Sequence, residues 1–94
     1  MSIKFDWDPR KAQRNLRKHS IDFNEASTVF ADTLSITIPD PAHSAGEERW
    51  VTMGLSSRQR LLVVVHIEEG ETIRIISARP ANRLERRKYE EGDS

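Results

Sequence analysis

The chain predicts an α+β fold, a small antiparallel sheet packed by helices in the order β-α-α-β-β-β-β-α. Three observations predict it. Apolar residues alternate with polar ones around Phe5, Ile36, Val51 and Ile73, the period of half-buried strands. Between the first two of those runs lie two helix-start signals, Asp8-Pro9 and Asp22 with Glu25. From Val51 onward the runs are joined by segments as short as Glu69-Gly70-Glu71, which turn a chain into an antiparallel meander. At 94 residues, with no repeat and no long linker, residues 1–94 read as one domain with one core.

Taken in order, Ile3, Phe5 and Trp7 mark a first strand, and Asp8-Pro9 is an N-cap followed by the proline favoured at the first helical position. The helix predicted over 9–18 offers only Ala12 and Leu16 as an apolar pair, so most of its circumference is cationic or amide. Asp22 and Glu25 form the pattern of a capping box for a second helix to about residue 32, with Phe23, Ala26 and Phe30 on its core face. Leu34, Ile36 and Ile38 mark a strand that ends at Pro39, and the loop AHSAGEE follows. The next strand puts Val51, Met53 and Leu55 on one side and Trp50 and Thr52 on the other. LLVVVHIEE has the continuous apolar character of a central strand. In TIRIISAR, strict alternation puts Ile73, Ile75 and Ser77 on one face and Arg74, Ile76 and Ala78 on the other, with Arg79 last. Pro80 is expected to stop the strand and open a mostly charged closing helix to about residue 91, with Leu84 and Tyr89 as its apolar contacts.

A composition of 36% hydrophobic and 32% charged residues is globular rather than disordered. There is no cysteine, which excludes a disulfide framework and cysteine-based zinc sites. His19, His43 and His66 lack ligand spacing, so no metal and no cofactor is expected. No apolar run is long enough for a membrane span and MSIKFDWDPR has no signal-peptide core, so a cytoplasmic protein is expected. The formal net charge of +0 hides a segregation. Lys4, Arg10, Lys11, Arg14, Arg17 and Lys18 crowd the first segment, residues 21–48 carry acids and no Lys or Arg, and Arg83, Arg86, Arg87 and Lys88 cluster at the end. Such a distribution can present basic fields to a polyanion despite overall neutrality.

No nucleotide-cofactor, zinc-protease or hydrolase motif is present. What remains is Arg, Glu, His and Tyr: Glu47, Glu48 and Arg49 where a loop enters a strand, His66 near the end of the central strand, and Arg74 and Arg79 on its neighbour. Arg is the side chain whose rigid fork best matches a phosphate. The plain alternative is that these arginines are solvated or pair with nearby acids. The set suits metal-independent RNA cleavage, in which a deprotonated 2′-OH attacks the adjacent phosphorus and an acid protonates the departing 5′-oxygen. The 2′-OH requirement makes the substrate RNA.

The stretches FDWDPRKAQRNLRKHSIDFNEASTVFADTLS, EERWVTMGLSS, LLVVVHIEEG and IRIISARPANRLERRKYEEG together resemble the BrnT toxins of bacterial type II toxin–antitoxin systems over nearly the whole chain. The resemblance implies a RelE/ParE-like fold and a ribonuclease that halts translation and growth. It also implies a BrnA-like antitoxin that neutralises the toxin in a hetero-oligomer and carries it to operator DNA. Carried over by position, the catalytic candidates are Glu48, Arg49, Arg74 and Arg79, with His66 or Glu48 in proton transfer and Arg49 and Arg79 on phosphate. Lys11, Lys18, His19 and Tyr89 are the candidates for RNA binding. Two departures stand out. HIEEG replaces the HTERG of similar sequences, setting Glu69 in place of an arginine, and a cleavage-deficient, antitoxin-binding module is the alternative reading that follows. Ser20 follows the helix where glycine is usual, in a left-handed position that costs roughly 1 kcal/mol.

Overall fold

Helix ends and strand ends follow from local chemistry. The structure, a computed structural model, describes residues 3–40 and 48–92; His43, Glu47 and most of the AHSAGEE loop lie outside the described residues. After β1 (Lys4–Trp7), the Asp8 carboxylate accepts from the Arg10 N–H at 2.8 Å and opens α1 (Pro9–His19). The helix closes at Ser20, which sits at φ 60° and donates its N–H to the Leu16 carbonyl. That left-handed residue is the expected one. Ser20→Gly should therefore stabilise the fold by roughly 0.5 kcal/mol, read as a higher denaturant midpoint at unchanged slope.

The Asp22 carboxylate caps α2 (Phe23–Ser27) through the Glu25 N–H, but the box is half made. The Glu25 side chain turns into the protein to meet Arg60 and the Ser56 hydroxyl instead. α2 runs on as a 3-10 turn, Thr28–Ala31, rather than as the single helix expected to residue 32. β2 (Ile36–Pro39), β3 (Trp50–Leu55), β4 (Leu61–Glu69) and β5 (Thr72–Pro80) follow, then α3 (Arg83–Glu91).

The strands lie in the order β1-β5-β4-β3-β2, so the continuous apolar strand β4 is at the centre, as its composition requires. β2 to β5 are antiparallel throughout; β1 joins β5 in parallel, the one departure from an all-antiparallel sheet. On the first face, Leu62, Val64, Ile73, Ile75 and Ala78 pack against Ile21, Phe23, Ala26 and Val29. On the second face, Met53, Leu61 and Val63 pack with Val51, Leu55 and Tyr89 of α3. Two features of α1 and α3 differ from expectation. Leu16 is half exposed, and Asn15 is the α1 residue that goes inside. Its amide donates to the Ile21 and Ala78 carbonyls at 3.0 and 2.8 Å and accepts from the Ala78 N–H at 3.1 Å. Asn15 thus takes the place of the strand that β1 is too short to supply. Pro80 stays in β5, opposite Leu62, because its missing N–H faces that same outer edge and costs no ladder bond. α3 starts after Asn82, in a full capping box with Glu85.

Candidate functional site

Strict alternation would put Arg74 and Arg79 on opposite faces of β5. The ladder between β4 and β5 shifts between Val65 and His66, pairing them with Ser77 and Ile75 and leaving Ile76 as an extra residue. Beyond that bulge the faces exchange. Arg74 pairs with Ile67 and Arg79 with Val63, two β4 residues on the second face, so the arginines share it. Their backbones are about 13 Å apart along the strand, a separation that suits two separate phosphates of one strand better than a single phosphate. Continuing the β3–β4 register one step past Trp50–His66 sets Arg49 beside Ile67, in a row with Arg74. Glu48, the residue before Arg49, is exposed and precedes the β3 ladder, and Glu69, also exposed, lies on the arginine face at the end of β4.

The two β5 arginines are held differently. Arg74 makes a loose, solvent-exposed pair with Asp6 at 3.8 Å. Arg79 makes two parallel bonds to the Glu85 carboxylate, both at 2.8 Å, and a third to the Pro80 carbonyl at 3.2 Å. That pairing holds the Glu85 carboxyl below its ordinary range and the guanidinium above its own.

Lys11, Lys18 and His19 are brought together. With Arg14 and Asn15 they line a shallow depression whose floor is Ile76 and Ser77, the bulged residue and the β5 residue between the two arginines. Basic helix and arginine face therefore meet at the outer edge of β5. Arg14 was missed from the sequence, although its spacing from Lys11 and Lys18 is that of one helix face.

Tyr89 is not part of that surface. Its hydroxyl donates to the Asp32 carboxylate at 2.5 Å, which pushes its pKa up to about 12. Asp32 also accepts from the Leu34 and Leu55 N–H groups. Burial works to raise the Asp32 carboxyl, and these donors outweigh it. Tyr89 and Asp32 anchor the end of α3 to the sheet.

His66 is a correction. It lies on the first face, away from the arginines, with 0% exposure. Its Nε2 meets the Thr52 hydroxyl at 2.7 Å and its ring packs edge-on against Phe30 at 4.9 Å. Its Nδ1 has no hydrogen-bond partner among the described residues. Burial pushes its pKa down to about 4, so at neutral pH it is uncharged, with Glu68 Oε2 at 3.7 Å from Nδ1, and it is enclosed on the face opposite the arginines. In the unfolded chain it titrates near 6.5. Its contribution to stability is complete above that value and is lost as the pH falls towards 4. Unfolding free energy should drop by roughly 3 kcal/mol across this window, measured by denaturant titration, and a His66→Gln variant should lack that share of the drop.

Among the described residues no group of His, Cys, Asp and Glu is placed to hold a metal ion, and no helix is long and apolar enough to cross a membrane. A five-stranded sheet with helices on one face, a charged helix on the other and a cationic edge defines a small α+β protein. The family model for the ribonuclease toxin, BrnT, of type II toxin–antitoxin systems matches residues 7–85, and the chain belongs to that family. Among solved structures the chain is similar to the Brucella abortus ribonuclease toxin BrnT, at 24% identity and a TM-score of 0.63, over 87% of this chain and 100% of that one. That likeness is one of fold. No curated protein matches the sequence. Membership of a type II family implies a protein antitoxin as partner.

Proposed function

We propose that this toxin is a metal-independent endoribonuclease whose RNA site is the second face of β5, and that cutting RNA stops translation and growth. The observation that carries the reading is the bulge at Ile76, which gathers Arg74 and Arg79 on one face beside the basic depression of α1. Arg79 and Arg74 take separate phosphates of one strand. Arg49 adds to the charge opposite the developing dianion, and Glu48, the exposed residue before it in the chain, is the carboxylate for proton transfer. Lys11, Arg14, Lys18 and His19 extend the track for the RNA backbone. A BrnA-like antitoxin neutralises the toxin in a hetero-oligomer and brings it to operator DNA. A groove lined by Ile36, exposed Ile38, Val51, Met53 and Val63 and bordered by Glu85 and Lys88 is surface for such a partner to cover.

A second reading rests on Glu69, whose carboxylate lies on the same face as Arg74 and repels RNA there. In that reading the chain keeps antitoxin binding and has lost cleavage. Incubating the purified protein with a defined RNA in EDTA separates the two: discrete cleavage supports the enzyme, and an intact RNA supports the binding module. Glu69→Arg should raise the cleavage rate about tenfold or more under the first reading and restore cleavage under the second, since one charge reversal replaces repulsion by attraction at a phosphate-binding face.

A further inference from the structure

We infer that Glu85 is the positioning residue for Arg79, holding its guanidinium so that a second donor fork stays open for an RNA phosphate; this rests on the ribonuclease reading of the β5 face. A guanidinium carries five N–H donors in a fixed plane. In Arg79 both hydrogens on Nη1 are used, one by Glu85 Oε1 and one by the Pro80 carbonyl, and Glu85 Oε2 takes one on Nη2. The two left over, on Nε and Nη2, lie in the plane and project from one edge of the group as a parallel pair. Among the described residues neither meets another acceptor, and the Arg79 side chain is 43% exposed. A parallel pair of N–H groups is the geometry that grips two oxygens of a phosphate.

Glu85 is itself fixed. Its Oε1 also accepts from the Asn82 N–H at 2.9 Å, and its own N–H donates to Asn82 Oδ1 at 2.8 Å, so the carboxylate is locked into the first turn of α3. The cap, the carboxylate and the guanidinium form one rigid chain from α3 to the open fork. Without Glu85, Arg79 would sample many rotamers and lose part of its preorganisation for phosphate.

The test uses full-length protein and a 2′-O-methyl RNA, which cannot be cut by its own 2′-oxygen, so binding is read apart from cleavage. Affinity is measured for the parent, Glu85→Gln, Arg79→Ala and the double variant. Glu85→Gln keeps an oxygen for the Asn82 cap but turns an N–H₂ group towards Arg79. It should weaken binding about tenfold in the parent and less than about twofold in the Arg79→Ala background. Asn82→Ala removes the Oδ1 acceptor of the cap but keeps the backbone N–H that holds Glu85 Oε1 and keeps the ion pair, so it should lower the melting temperature with little change in affinity. In the unsubstituted protein, the Arg79 Nε–H resonance should shift on adding the RNA. Unchanged affinity in Glu85→Gln, equal losses in both backgrounds, a still Nε–H resonance or no RNA binding by the parent would each overturn the inference. A gain in affinity would overturn it too, making Glu85 a competitor for the fork. The expected pattern in a parent that leaves cleavable RNA intact would uphold Glu85 and defeat the ribonuclease reading alone.

Discussion

Arg79→Ala should cut RNA at less than about one-hundredth of the parent rate, with the melting temperature changed only slightly. A preorganised donor aimed at charge that develops in the transition state is worth roughly 100-fold to 1,000-fold. Arg79 is held on the second face by two bonds at 2.8 Å to a carboxylate that α3 immobilises. Its ion pair is partly exposed and contributes little to stability, so activity and stability part company at this residue. Single-turnover cleavage of a defined RNA measures the effect. Arg74, exposed and loosely paired with Asp6, should matter less when replaced, chiefly through RNA affinity.

The second large effect is structural. Asn15→Ala should cost roughly 4 kcal/mol of stability, because it strips partners from three buried backbone groups, the Ile21 carbonyl and both the N–H and the carbonyl of Ala78. For a domain of this size that is a drop of about 15 °C or more in the melting temperature, readable by calorimetry. Asn15 is 7% exposed and closes the open edge of β5 next to the bulge, so the damage falls at the edge that aligns Arg74 with Arg79. Loss of activity in this variant should follow the loss of folded protein, unlike in Arg79→Ala.

Much of the fold was legible. The alternation around Phe5, Val51 and Ile73 marked strands because a half-buried strand must bury every second residue, and LLVVVHIEE marked the centre because both its faces are covered. The same composition concealed which way His66 points, since a strand buried on both sides carries no face signal. The bulge left only a trace. The adjacent Ile75 and Ile76 interrupt the polar–apolar alternation of TIRIISAR, but such a pair also fits a strand buried on both faces. The sharing of a face by Arg74 and Arg79 therefore followed only from tertiary pairing. Pro80 suggested an early helix start, whereas the Asn82-to-Glu85 spacing, visible in the sequence, was the true cap. Glu85 was overlooked as a site residue because a capping glutamate looks purely structural until Arg79 is seen against it. Asn15 was hidden by its type, for an amide on a cationic helix gives no hint that it completes a sheet edge.

The central claim is that this face cleaves RNA through the substrate's own 2′-oxygen. The most direct measurement replaces the nucleotide 5′ of the mapped cut by its 2′-deoxy form, in EDTA, and identifies the product ends. Cleavage should vanish at that position alone, with a 2′,3′-cyclic phosphate at every remaining cut. Cutting that continues past the deoxynucleotide and leaves a 5′-phosphate would contradict the account, because water and not the 2′-oxygen would then be the nucleophile.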